Sequence, residues 1–472
     1  MIGSLSLTQI SEFLGAELYA PEESAELAIS AVSTDTRTIR AGDLFVALRG
    51  DNFDGHNFVG NAVAAGAGAV LLERYSSELS VPQVVVTDTT RALGQLALMV
   101  RSLLGAPLVA LTGSCGKTSV KEMLTQVLSV RSSVHSTHGN LNNHIGVPLT
   151  LLAIRSATDP VVVEMGASGP GEIGYLASIA QPNVALVNNV MAAHLEGFGS
   201  QVGVAFEKSR IFFGLKESGA AVVNFDEPYA QGWLEELRTA RPDLHVVTYS
   251  MTGKAANVYA ENVKLGSAGC YEFTLSVEGR VMAVQLAVAG RQSVSNALAA
   301  TACAHTLGLS LDEICKGLES VKPVAGRVEP KLGLSGALII DDSYNANPGS
   351  VRAAANLLAD LQVERPVWLV LGDLAELGAN QEQELDQLGQ DIAESGVKNL
   401  LTVGVNSAAV ERGFSRQGQD VYGRHFPDQV TAIEFIKKQL KEHVAVLVKG
   451  SRSARMDLIV DAIAETATGS NG

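Results

Sequence analysis

One stretch of the 472-residue chain has the residue types and spacing to hold a phosphate chain. Thr112-Gly113-Ser114-Cys115-Gly116-Lys117-Thr118 follows the apolar run Leu108-Val109-Ala110-Leu111. Ser119 then opens a segment that puts Val120, Met123, Leu124 and Val127 on one helical face. Strand, glycine turn and helix N-terminus, in that order, converge free backbone N–H groups and the positive end of a helix dipole on one point. Lys117 is spaced to reach the β- and γ-phosphates of a nucleotide, and the Thr118 hydroxyl to bind Mg2+. The motif is shorter than the usual P-loop, because only Ser114 and Cys115 separate Gly113 from Gly116. The competing reading is an ordinary strand-to-helix turn with a solvated lysine. Cys115 is read as a small turn residue rather than a nucleophile.

Two further groups suit a metal beside that loop. Glu164 ends the apolar run Val161-Val162-Val163, and in an open α/β sheet ligands sit at the C-terminal ends of strands. A carboxylate there suits Mg2+. His194 follows the strand segment Val184 to Val190 and is either a metal ligand or a hydrogen-bonded loop histidine. Lys208 lies on a charged helical stretch, where a solvated face is the default. Asn296, near the start of an alanine-rich helix, can read a base edge or take part in capping. Thr34-Asp35-Thr36-Arg37 is a polar run between apolar segments that can hold a phosphorylated or sugar-bearing ligand or form a capped turn.

These residues need sheets to position them. Residues 1–85 read as a small α/β unit, with a helix at Ser6–Leu14, a strand at Gly42–Leu48, a helix at Asn57–Ala67 and a strand at Ala69–Leu72. From 86 to 321 strands and helices alternate, which predicts a mostly parallel sheet flanked by helices. Cys270–Glu278 and Val281–Val288 read as a hairpin turning near Glu278-Gly279, and Val204–Leu215 as one helix. Residues 322–472 repeat the alternation as a Rossmann-like unit, with Ala337–Ile340 leading into Asp341-Asp342-Ser343-Tyr344-Asn345-Ala346-Asn347-Pro348. The expected architecture is therefore α/β in three domains.

Composition narrows the function classes. A net charge of -15 without Lys/Arg clusters disfavours nucleic acid or anionic membrane as partners. No apolar stretch reaches the ~18 residues that span a bilayer. The N-terminus has no basic leader, so a cytoplasmic protein is expected. The four cysteines are scattered without C-x-x-C spacing and are expected to be reduced.

The glycine loop, Gly139-Asn140-Leu141-Asn142-Asn143, Glu164-Met165-Gly166, His194, Asn296 and Asp342 to Pro348 occur in this order. Together they resemble the Mur ligases, which build the peptide stem of bacterial cell wall precursors, and the resemblance covers nearly the whole chain. The short P-loop is the form this family uses. The resemblance implies a P-loop central domain, and ATP held by Thr112, Gly113, Ser114, Cys115, Gly116, Lys117, Thr118 and Ser119. It implies that Asn296 contacts the adenine, Asp342 the ribose, and Arg327 the phosphates from the domain junction, with Tyr344 and Asn347 completing the nucleotide contacts. It implies metal ligation by Thr118, Glu164 and His194, and that Lys208 becomes a metal-associated carbamate, which requires a neutral amine and hence a lowered pKa. Thr34, Asp35, Thr36 and Arg37, with Asn140, Asn142 and Asn143, are implied as substrate contacts. Asp35-Thr36-Arg37 stands where the family usually has Asp-Ser-Arg.

The Asp-Asn-Pro-Arg sequence of the diaminopimelate-adding relative is absent. That absence favours a dipeptide-adding member, and the resemblance implies UDP-N-acetylmuramoyl-tripeptide and D-alanyl-D-alanine as substrates, joined by a monomeric, ATP- and Mg2+-dependent enzyme through an acyl phosphate. A carboxylate is a poor electrophile, and phosphorylation by ATP makes it a good one. Such a transfer needs positioning and charge neutralisation more than a covalent nucleophile. Two alternatives stand beside this reading: a folylpolyglutamate synthase-like ligase and a P-loop ATPase switch.

Overall fold

A computed structural model describes all residues except 2, 51–52, 192–194, 254, 267–268, 379, 419 and 466–472. The central sheet has nine strands, in the order His135–Ser136, Val161–Glu164, Leu108–Thr112, Val184–Val187, Ala220–Asn224, His245–Ser250, Val258–Leu265, Cys270–Val277 and Arg280–Ala289. Neighbours run parallel as far as Val258–Leu265, and the last two strands pair antiparallel.

Successive side chains of a strand point to opposite faces. Leu108 and Ala110 accordingly enter one apolar core and Val109 and Leu111 another, all fully buried. Helices Thr89–Ser102, Gly146–Leu152 and Glu172–Ala180 supply the first core. Helices Lys117–Leu128, Gln292–Thr306 and Leu311–Glu319 supply the second. A parallel sheet covered on both faces is what continuous apolar strands such as these require.

The N-terminal sheet has five strands, ordered Glu17–Tyr19, Gln83–Val85, Ala69–Leu72, Leu44–Val46 and Val32–Ser33. So small a unit buries little apolar surface alone. It is seated on the central helices: Leu5, Ile10 and Leu44 share a core with Leu93 and Leu96.

The C-terminal sheet has six strands, ordered Glu329–Leu332, Leu338–Asp342, Ala445–Lys449, Val367–Gly372, Asn399–Val403 and Tyr422–Phe426. All pairs are parallel except the first. The strand nearest the C-terminus thus lies inside the sheet, beside Leu338–Asp342. Helix Pro348–Leu361 follows, with Asn347 accepting from the Ser350 N–H (2.8 Å) and proline in the first turn.

Several local expectations need correction. Val204–Leu215 is an α-helix only over Gln201–Ser209, capped by the Ser200 hydroxyl, and tightens into a 3-10 turn at Arg210–Gly214. There Gly214 lies so close to Ala177 that a Cβ would meet its side chain at 2.4 Å. The helix read over Asn57–Ala67 is Val59–Ala64, preceded by a 3-10 turn. Strand Val258–Leu265 was not expected, because it is half exposed and broken by a bulge between Glu261 and Lys264, so no clean alternation marks it. The hairpin turn is as expected: Glu278 and Gly279 both take positive φ (49° and 82°), which suits the twist of the flanking strands. All four cysteines are free thiols. Among the described residues no helix is long and apolar enough to cross a membrane.

Candidate functional site

A cavity of about 450 Å³ lies where the central and C-terminal sheets face each other. Its central wall is the loop Gly113 to Ser119 at the start of helix Lys117–Leu128. Gly116 takes φ +75°, and a Cβ there would lie 2.8 Å from Asn296 Oδ1, so the turn demands glycine. Lys117 Nζ donates to the Gly113 carbonyl at 2.8 Å and borders the cavity. Its amine is therefore folded over the loop rather than turned out to solvent. Thr112 is fully buried beneath the loop, and its hydroxyl has no partner among the described residues.

Glu164 reaches the same point from the adjacent strand. Its Oε2 accepts from the Thr118 hydroxyl (2.9 Å) and its Oε1 from Asn142 Nδ2 (2.8 Å). Asn140, Asn142 and Asn143 line the cavity beside it, and Gly166 leaves room for the Asn142 side chain at 3.0 Å. A buried hydroxyl and a buried carboxylate in contact at a helix N-terminus make a hard-oxygen donor set of the kind Mg2+ takes. His194 lies outside the described residues.

Lys208 enters the cavity wall from helix Gln201–Ser209 and is 3% exposed. Burial, and next the nearby Lys117 charge, push its amine down to about 7. Its neighbour Glu207 turns the other way, accepting from the Gly171 and Ile173 N–H groups (2.8 and 2.7 Å) at the start of helix Glu172–Ala180. Far from being a solvated face, this stretch is buried on both counts.

The facing wall comes from the C-terminal unit. Arg327 stacks over the Tyr344 ring at 4.3 Å, and Asp342, Asn345 and Asn347 line the cavity with it. Asn347 Nδ2 donates to Cys115 Sγ at 3.1 Å, so the two walls touch. Burial pushes the Asp342 carboxyl up, against the opposing pull of Lys449.

Sequence reasoning missed Asn188 and Asn189, which follow strand Val184–Val187 where the expected strand continued. Both side-chain amides donate to the Cys115 carbonyl (3.1 and 2.9 Å), and Asn188 Nδ2 also reaches Asn296 Oδ1 (3.1 Å). Tyr249, fully buried, donates to Asn188 in turn. Their signal in the sequence was two consecutive amides at a strand end. Lys449 was also missed, being the last residue of an otherwise apolar strand. Thr34 to Arg37 do not border this cavity. They form a half-buried turn on the N-terminal unit that exposes Arg37, whose Nη2 lies 2.6 Å from Asp35 Oδ2 and whose hydrogen bonds hold that carboxyl down to about 2.

Three family models match the chain: Mur ligase family, catalytic domain, over residues 28–101; Mur ligase middle domain over 111–304; and Mur ligase, glutamate ligase domain, over 326–452. The chain is 42% identical over 467 residues to UDP-N-acetylmuramoyl-tripeptide--D-alanyl-D-alanine ligase of Escherichia coli (strain K12), covering 98% of this chain and 99% of that one. This chain belongs to the Mur ligase family. Among solved Mur ligases, MurF from Acinetobacter baumannii superposes with TM-score 0.88 at 34% identity, covering 98% of each chain. MurF from Thermotoga maritima, solved in complex with ADP, superposes with TM-score 0.80 at 26% identity over 92% of this chain and 96% of that one. The expected three-domain α/β architecture of a Mur ligase is the one observed.

Proposed function

We propose that this Mur ligase joins D-alanyl-D-alanine to UDP-N-acetylmuramoyl-tripeptide at the expense of ATP, in the synthesis of peptidoglycan precursors. The observation that carries the reading is the convergence of Lys117, Thr118 and Glu164 on one wall of a cavity whose other wall is Arg327 and Asp342. The relatives' names supply the two substrates. Residues 1–85 would hold the UDP moiety through Thr34, Asp35, Thr36 and Arg37, residues 86–321 the ATP phosphates, and residues 322–472 would close on the nucleotide.

In this reading Gly113 to Ser119 cradle the phosphates, while Lys117 and Arg327 offset the charge on ATP and on the incoming carboxylate. Thr118, Glu164, His194 and a carbamate on Lys208 would hold Mg2+, which when bound would supply Lewis-acid polarisation of the γ-phosphoryl group. Asn296 would meet the adenine, and Asp342, Tyr344 and Asn347 the remainder of the nucleotide. The tripeptide carboxylate attacks the γ-phosphorus and ADP leaves. The amine of the dipeptide then attacks the acyl carbon, phosphate departs, and one proton is lost from nitrogen. Asn140, Asn142 and Asn143, which line the cavity, would contact the substrate during that exchange. For Lys208, a neutral Nζ adds to the carbon of CO2 and releases a proton, which a lowered pKa favours.

A phosphate-release assay with each substrate omitted in turn tests the proposal. Release should require ATP, the UDP-tripeptide and the dipeptide together. Steady release from ATP alone would make the protein an ATPase, and dependence on a folate with glutamate would make it a different ligase.

A further inference from the structure

Lys449 and Asp342 are register partners at the C-terminal ends of adjacent parallel strands, although 107 residues separate them in the chain. Lys449 is 2% exposed. Its Nζ donates to Asp342 Oδ2 at 2.6 Å and to the Asn345 carbonyl at 2.9 Å, and it borders the same cavity. One ammonium therefore holds both the carboxylate and the loop that runs from it to Asn347, the residue that touches Cys115. A lysine so buried is retained only when paired and hydrogen-bonded. Here the pairing has a chemical consequence. A carboxylate accepts hydrogen bonds only, whereas a protonated carboxyl donates through one oxygen. The sugar hydroxyls of a nucleotide donate more strongly to the ionised form, since a charged acceptor roughly doubles the strength of the bond.

We propose that Lys449 is a positioning residue for the nucleotide: it fixes Asp342 as an ionised, correctly turned acceptor and ties the Ser343 to Asn347 loop to that carboxylate. This rests on the reading that Asp342 contacts ATP. The charged groups facing Asp342 are Lys449 from the neighbouring strand and Arg327 from the loop before strand Glu329–Leu332, and the Val328 N–H also points to it. Burial already opposes its ionisation. With Lys449 replaced by an uncharged side chain, the Asp342 carboxyl loses the nearest opposing charge and its ionisation is expected to move further up in pH.

The experiment compares wild type, Lys449→Met, Asp342→Asn and the double variant, reading KM for ATP and kcat between about pH 6 and 9, with thermal melting as a check on folding. The expected result for Lys449→Met is a KM for ATP raised on the order of tenfold near neutral pH, with a smaller change in kcat, as befits a lost charge-assisted contact. The ratio to wild type should fall as pH rises, and in the Asp342→Asn background the same change at Lys449 should add little. If Lys449→Met does not fold, Lys449→Gln, which retains a donor without the charge, takes its place. A ratio independent of pH, or an undiminished effect in the Asp342→Asn background, overturns the proposal. Should Asp342→Asn itself leave KM for ATP unchanged, the nucleotide reading of Asp342 fails first, and the two failures are thereby told apart.

Discussion

The Thr118 hydroxyl and Glu164 Oε2 lie 2.9 Å apart, though one comes from the first turn of a helix and the other from a strand end 46 residues away in sequence. The contact is buried and Asn142 holds the other carboxylate oxygen. If Mg2+ takes this place, Glu164→Gln keeps the shape and one acceptor but loses the charge. The Mg2+ concentration for half-maximal activity should then rise by about 10- to 100-fold. A titration of activity with Mg2+ at saturating ATP measures it, and an unshifted midpoint would remove Glu164 from the metal site.

Lys117 points back onto the Gly113 carbonyl and borders the cavity, so its ammonium charge is held at the glycine loop. Lys117→Ala should lower kcat by roughly a hundred- to a thousand-fold while the melting temperature stays close to that of wild type, in line with the loss of one preorganised charge. Near-normal turnover would exclude the lysine from the chemistry.

Lys208 gives a pH dependence of known sign. Its amine is pushed from the ordinary 10.5 down to about 7, so between those values unfolding takes up a proton. Stability from this group therefore increases as pH rises from about 7 towards 10.5, and below about 7 the full penalty of a buried charge applies. In CO2-free buffer, Lys208→Met should be more stable than wild type near pH 6, by at least ~1 kcal/mol, and the two should converge at high pH. Melting curves across that range decide it. Activity should be lost in Lys208→Ala and partly restored by added small carboxylates; a variant with full activity would end the carbamate assignment.

The two walls of the cavity are also joined at a distance from it. The Tyr271 hydroxyl donates to Asp360 Oδ2, linking the central hairpin to helix Pro348–Leu361, and Gly269 leaves 3.2 Å between a would-be Cβ and Leu357. Tyr271→Phe removes one hydrogen bond to a charged group, of the order of 1 kcal/mol. Small-angle scattering of the unliganded variant should give a larger radius of gyration than wild type, and saturating nucleotide should reduce the difference. Identical scattering would show that the contact does not hold the domains together.

Arg37 is the more exposed partner in its ion pair with Asp35 and lies outside the cavity between the central and C-terminal units. Arg37→Ala is expected to raise KM for the UDP-tripeptide by about tenfold and to leave KM for ATP unchanged. Equal effects on both would contradict a division of labour between the units.

The legible parts of this protein were the local ones. A glycine loop between an apolar strand and a helix announces itself because its residues are consecutive, and the covalent chain sets their spacing. The Glu278-Gly279 turn is read for the same reason. The resemblance of ordered motifs to the Mur ligases then named the partners that spacing alone left open. Strand Val258–Leu265 was not legible, because a partly exposed strand interrupted by a bulge lacks regular alternation.

From the sequence alone came the phosphate loop, the covered parallel sheets and the candidates Lys117, Thr118, Glu164 and Asp342. Only the tertiary structure joined Asp342 to Lys449, Asn188 to Asn296 and Cys115 to Asn347, and separated Arg37 from the cavity that Lys117 and Asp342 line. The reason is topological. Spacing along a chain determines what a turn or a helix face presents, but a strand's neighbour in a sheet is chosen by how whole layers pack. That choice set Lys449 against a carboxylate 107 residues away in the chain.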